Sequence, residues 1–332
     1  MIEIDGSLGG GQILRTSLSL SAISKKPFRI TNIRIKRNNP GLKYQHLTAV
    51  NSIKEFCNAE VKGNELNSLN LEFYPGNIKP GKYKFDIGTA GSTTLVFQTL
   101  LPAAILQDKE TILEIKGGTA NPLAPPALEL NEVFLFFLEK LGIKVKLEVI
   151  KEGFTPLGDG LIKAIIYPNN KIEELNLIEN EEIIETHVYA VTSESLRERN
   201  ISGRLVKGFR SSFNVETKIK SEKIYVKTAS PGCYIHANSI FKNYKLGYTI
   251  LGEKNKTAEQ VGKECAQKLS FEINLNATVD SFTADQLLIY MALKGKGKIK
   301  TSKITDHIKS NMEVIEKFLD VKFKIEDNII SL

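Results

Sequence analysis

The chain reads as an α/β protein assembled from repeated modules. An apolar strand, a glycine-containing loop and a helix recur in that order through the first 150 residues, and the same pattern returns near the carboxyl end. The stretch between has a different rhythm and is preceded by an acidic run. At 332 residues, 42% hydrophobic and 25% charged, the chain can bury a sizeable core and is long for one domain.

The first module has a strand at Ile2–Ile4, a loop from Asp5 to Gly11, and a helix through Ile13, Leu14, Leu18, Leu20 and Ile23 at helical spacing. A strand from Phe28 to Ile33, a basic loop, a helix from Tyr44 to Asn58 and short strands near Val61 and Leu71 follow. The pattern recurs with Tyr83–Ile87, the loop Gly88–Ser92 and a helix through Leu95, Val96, Leu100 and Ala104. It appears again with Ile112–Ile115, the loop Gly117–Pro122 and an amphipathic helix from Pro126 to Leu141. Residues 143–149 and 161–167 alternate as strands.

Glu173, Glu174, Glu179, Glu181, Glu182 and Glu185 then mark a boundary, read as a solvated linker face. Beyond it the expected order is strand 183–192, helix 193–208, strands 213–227, 233–238 and 247–251, and helix 257–270, a compact α/β insert. The expected organisation is therefore a main domain of residues 1–177 and 274–332, interrupted by an insert domain of 178–273. The modules resume with a strand at Asn274–Val279, the loop Asp280–Thr283, and a helix in which Asp285 and Gln286 lie at the start. Gly295 and Gly297 end that helix, and Lys298–Ile304 reads as a strand. Thr305 or Asp306 is placed to cap a last helix through Met312, Ile315, Phe318 and Leu319.

Met1–Asp5 has neither a basic nor an apolar leader character, and no apolar run approaches the roughly 20 residues that span a bilayer. A cytoplasmic protein with no membrane segment is expected. Cys57, Cys233 and Cys265 are odd in number and share no Cys-x-x-Cys spacing, which indicates neither a disulfide framework nor a zinc site. The net charge is +7, and residues 1–60 hold nine Lys/Arg against four Asp/Glu. Arg34, Lys36, Arg37 and Lys43 form a candidate anion-binding surface; an exposed charge run has the same composition.

The loop Gly6–Gln12 opens a helix, where glycines allow backbone N–H groups close to a phosphate, as they also allow a tight turn. It fits neither the Walker A nor the dinucleotide fingerprint. Arg15 lies one turn along. Two arginines three residues apart, Pro40-Gly41, and Gln45-His46 at a helix start can converge on a terminal phosphate. Phe282 can stack on a base or lie buried. His307, one of four histidines, falls in the first turn of the last helix, where the dipole disfavours imidazolium and leaves a neutral nucleophile; a capping or solvated histidine is the other reading.

These pieces occur together in one family, and the chain resembles the RNA 3′-terminal phosphate cyclases. The matching segments are Asp5-Gly6-Ser7 with Gly9–Arg15, Arg34 and Arg37 with Pro40-Gly41 and Gln45–Val50, Gly88–Gln98, Gly117–Pro122 with Ala124-Pro125-Pro126, Gly252-Glu253-Lys254, Ala284–Leu287, and His307 with Asn311. The resemblance implies repeated βαβαββ units, as in enolpyruvyl transferases, and a smaller thioredoxin-like insert. It implies an ATP- and divalent-cation-dependent (Mg or Mn) reaction. His307 takes AMP, passes it to the RNA 3′-phosphate, and a 2′,3′-cyclic phosphate closes with release of AMP.

By the same match Gln98, Pro125 and the segment Phe282, Thr283, Ala284, Asp285 and Gln286 contact ATP. Gln12 and Arg15 join them, while Arg34, Arg37, Gln45 and His46 face the RNA end. Many members carry a glutamate, the expected metal ligand, in the first loop where this chain has Leu8, so no metal ligands are assigned. The family also contains catalytically silent RNA-binding factors of ribosome biogenesis, which lack the nucleophilic histidine. The resemblance implies RNA bearing a 3′-phosphate as the partner and allows a homodimer.

Overall fold

The structure is a computed structural model that describes residues 1–7, 10–169 and 171–332. Its first unit runs β1 (Ile2–Asp5), α1 (Gly11–Ser24), β2 (Phe28–Thr31), α2 (Tyr44–Cys57), β3 (Glu60–Lys62) and β4 (Leu71–Tyr74). The strands lie in the order β1-β2-β4-β3, with β1 parallel to β2 and the other pairs antiparallel. The second unit repeats this with β5 (Lys82–Asp86), α3 (Thr93–Ala104), β6 (Thr111–Gly117), α4 (Ala127–Glu129), a π-helical stretch (Leu130–Phe134), α5 (Leu135–Lys140), β7 (Val145–Lys151) and β8 (Gly160–Ile166). Its order is β5-β6-β8-β7, the same permutation.

A third unit begins at β9 (Asn176–Leu177) and finishes far away in sequence. Between lie β10 (Glu185–Ser193), a 3-10 turn (Glu194–Arg199), α6 (Ile201–Arg210), β11 (Ile219–Val226), β12 (Cys233–Ile240), β13 (Lys245–Leu251) and α7 (Ala258–Asn274). They form their own sheet, β11-β10-β12-β13, parallel only between β10 and β11. Both helices lie against it, the βαβ then ββα order of a thioredoxin-like unit. The third unit resumes with α8 (Ser281–Lys294), β14 (Lys298–Lys300), α9 (Asp306–Phe318), β15 (Lys324–Glu326) and β16 (Ile329–Ser331). Its order is β9-β14-β16-β15. The three sheets are therefore three βαβαββ units.

The strand expected at Asn274–Val279 is not present as such. Asn274 ends α7, and only Val279 bridges, pairing in parallel with Thr301. Leu177 pairs with Ile299, so Val279 continues the register that Leu177 leaves. The first strand of this unit is thus split by the intervening segment, and Thr278 Oγ1 closes the break by donating to Leu177 O at 2.6 Å. β14 is correspondingly short, three residues against the seven expected. In the acidic run, residues 178–184 form no regular element.

α3 is buried on nearly every side, as a helix apolar all round should be, and α1 buries Thr16, Ser17, Ser19 and Ser21 among its leucines. α1 lies against α2, α3 and α9. Burial also joins the second unit to the fourth sheet: the Glu152 carboxyl accepts from Thr119 Oγ1 and from Tyr234 Oη, the latter at 2.8 Å. Desolvation pushes that carboxyl above its ordinary range. Among the described residues no helix is long and apolar enough to cross a membrane.

Candidate active site

The amino-terminal turns of α1, α2, α8 and α9, with the second turn of α3, face one cleft of about 820 Å³. Each helix start presents unpaired N–H groups and positive potential, so the fold itself makes this cleft favourable to anions. The strand Tyr248–Leu251 and Gly252-Glu253 of the fourth sheet close one side. Gln12, Arg15, Arg34, Arg37, Gln45, His46, Gln98, Pro125, Phe282, Asp285, Gln286 and His307 all line it.

Thr283 and Ala284 do not. They are 2% and 0% exposed. α8 begins at Ser281, earlier than expected, with Asp280 accepting from the Phe282 and Thr283 amides at 3.1 and 2.8 Å. Helical spacing then sets Phe282, Asp285 and Gln286 on one face and turns the two residues between them inward.

Gly10 adopts φ 62°, a conformation open to glycine, immediately before α1. A Cβ at Gly11 would lie 2.6 Å from His46 Nε2 and 3.0 Å from Arg15 Nη1, and one at Gly10 would meet Arg37 Nη2 at 3.4 Å. The glycines thus leave room for an imidazole and two guanidinium groups above the start of α1. This cradle fits a phosphate chain, with N–H groups below and cations around it. Burial and the neighbouring Arg15, Arg34 and Lys43 push His46 down to about 3. His46 is therefore neutral, and its Nδ1 accepts from the Lys43 amide at 3.2 Å.

Arg15 donates to Gln12 Oε1. Burial lowers its pKa to about 10, opposed by Asp285. Asp285 is pushed up to about 6 by burial, against the pull of Asn311, His307 and Arg15. Arg34 donates from Nη1 to Asn39 O at 3.0 Å and Gly41 O at 2.9 Å, so part of its guanidinium braces the basic loop. The Arg37 side chain has no hydrogen-bond partner among the described residues. Gln45 Oε1 accepts from the Ser92 amide at 3.0 Å, fixing the start of α3 against α2. Gln98 Nε2 donates to Gln286 Oε1 at 2.7 Å, joining α3 to α8.

Thr305 caps α9 by accepting from the Ile308 amide at 3.1 Å, which sets exposed His307 in the first turn. Phe282 is 55% exposed and meets Tyr248 edge-on at 5.7 Å between ring centroids. Sequence reasoning did not select Tyr248, Glu129 or Thr16, and quoted Asn311 with no role. Tyr248 belongs to another sheet and Glu129 follows the Pro125-Pro126 segment by three residues. Nothing local in the sequence joins them. Leu8, on which the metal question turned, lies outside the described residues. Among the described residues no three His, Cys, Asp or Glu side chains come together as a cation site.

Three βαβαββ units with a cationic cleft at converging helix ends define a repeat α/β protein built to receive an anionic ligand. Comparison with known proteins gives the family. The model of RNA 3′-terminal phosphate cyclase matches residues 7–325, and the chain belongs to that family. It is similar to proteins named RNA 3′-terminal phosphate cyclase from Sulfurisphaera tokodaii, 42% identical over 331 residues (98% of this chain, 96% of that protein), and Pyrococcus furiosus, 38% identical over 332 residues (99% and 96%). A bacterial relative of the same name, from Pseudomonas fluorescens, is 37% identical over 324 residues (98% and 94%).

Proposed function

We propose that this protein is an enzyme that uses ATP to convert an RNA 3′-terminal phosphate into a 2′,3′-cyclic phosphate, with His307 as nucleophile. The observation that carries the reading is the convergence of His307 with Arg15, Arg37, Asp285 and the glycine cradle on one cleft. The unprotonated imidazole nitrogen of His307 attacks the α-phosphorus, a P–N bond forms, the P–O bond to pyrophosphate breaks, and the ring gives up the proton on its other nitrogen. A 3′-phosphate oxygen of the RNA then attacks that phosphorus and the P–N bond breaks. Finally the 2′-hydroxyl loses its proton, attacks the 3′-phosphorus and expels AMP. Each displacement has a good leaving group, which is the advantage of a covalent intermediate.

In this reading Gln12, Arg15, Gln98, Pro125, Phe282, Asp285 and Gln286 hold ATP, while Arg37, Arg34, Gln45 and His46 serve the RNA end. Arg34 and Gln45 act in part by bracing the basic loop and the start of α3. Helix amino termini and guanidinium groups offset the charge that builds on the transferring group. The reaction calls for Mg or Mn, and such a cation would take most of its oxygen ligands from phosphates and water. The reading also includes an insert domain of residues 178–273, a cytoplasmic setting and a homodimer.

Incubation with ATP labelled at the α-phosphate should leave an acid-labile adduct that His307→Ala abolishes. Equal labelling of the variant would remove the central claim. RNA binding with neither adduct nor cyclic ends would instead make this a catalytically silent binding factor.

A further inference from the structure

One carboxyl at the cleft has no part in the reaction above. Glu129 ends α4 and lines the cleft beside Pro125, Tyr248 and Phe282. Thr249 is a close neighbour that holds the Glu129 pKa down against burial, and Thr249 Oγ1 lies 2.8 Å from His236 Nδ1. His236 is wholly buried, and desolvation with the nearby Lys245 pushes it down to about 3, so the ring is neutral. With Asn238 Nδ2 donating to His236 Nε2 at 3.3 Å, Nδ1 carries the proton and donates to Thr249. The threonine hydroxyl proton is then free to turn toward the neighbouring carboxyl. The Glu129 carboxyl makes no side-chain hydrogen bond among the described residues, and it faces a cleft that Pro125, Tyr248 and Phe282 also line. A partly buried acceptor there calls for a donor from the ligand.

We infer that Glu129 is a specificity residue that accepts a hydrogen bond from the exocyclic 6-amino group of a purine base held between Pro125 and the Phe282–Tyr248 pair. The inference rests on the ATP reading. A flat ligand with an apolar face and an amino edge suits both the rings and the carboxyl, whereas a 6-oxo base presents a second acceptor to Glu129 and is disfavoured. Thr249 and His236 are positioning residues in this arrangement.

Calorimetric binding of ATP, purine riboside triphosphate (hydrogen at position 6) and inosine triphosphate to the intact protein tests it. The wild type should favour ATP over both analogues by about tenfold or more, the loss expected for one unmade hydrogen bond in a partly buried site. Glu129→Leu should erase the preference by weakening ATP alone, and Glu129→Gln, whose amide oxygen still accepts, should keep it. A wild type that binds all three equally overturns the inference and leaves the ATP reading standing. So does a Glu129→Leu protein that weakens all three by one factor, which is the mark of a structural role. If no nucleotide binds, the ATP reading falls and takes the inference with it.

Discussion

Asn311 holds Asp285 twice through one amide nitrogen, donating to its main-chain carbonyl at 2.9 Å and to Oδ1 at 2.8 Å. Thr16 Oγ1 in turn donates to Asn311 Oδ1 at 2.7 Å. Three helices, α1, α8 and α9, are therefore registered by one buried amide, and Asn311 is only 2% exposed. Its replacement by Ala should cost about 2 kcal/mol of stability in urea denaturation, since two acceptors and a hydroxyl lose their partner. The titration midpoint of Asp285, followed by carboxyl NMR, should rise above about 6 because the bond that lowers it is gone. An unchanged midpoint would show that Asn311 does not stabilise the carboxylate.

Arg34 and Arg37 are three residues apart and differ in their bonds. Arg34 supports two loop carbonyls, so Arg34→Ala should lower Tm by a few degrees as well as weaken ligand binding. Arg37→Ala should leave Tm unchanged, weaken binding of an oligonucleotide ending in a 3′-phosphate, and reduce the salt slope of that binding by about one. If both arginines serve the RNA end, the double alanine variant should impair transfer to RNA more than self-adenylation. Equal losses in the two steps would assign them to ATP.

Glu272 is 4% exposed, lies near buried Asp280, and has Oε2 without a partner among the described residues. Burial first, then the Asp280 charge, pushes it up to about 7 from an ordinary 4.5. Between those two values the folded protein keeps a proton that the unfolded chain has released. The wild type therefore loses stability as pH rises through that window and stays weakened above it. Glu272→Gln cannot ionise and should exceed the wild type by roughly 2 kcal/mol at pH 8, with the gap closing toward pH 4.5. Paired chemical denaturation curves at the two pH values measure it, and a gap independent of pH would contradict this account.

Features set by short-range rules were legible in the sequence alone. The strand–loop–helix modules follow from apolar spacing, the start of α1 from its glycines, and the position of His307 from the Thr305 cap. These depend on neighbours within a turn or two, where steric and hydrogen-bonding preferences act without help from the rest of the chain. The tertiary structure decided what lies between distant segments. It divided the first strand of the third unit between Leu177 and Val279, because strand pairing reads register in space and tolerates a long detour in the chain. It turned Thr283 and Ala284 inward, because α8 begins at Ser281 and a helix can show the cleft only one face. It brought Glu129 and Tyr248 to the same corner as Phe282, a meeting that no local spacing encodes, since packing between separate sheets alone sets it.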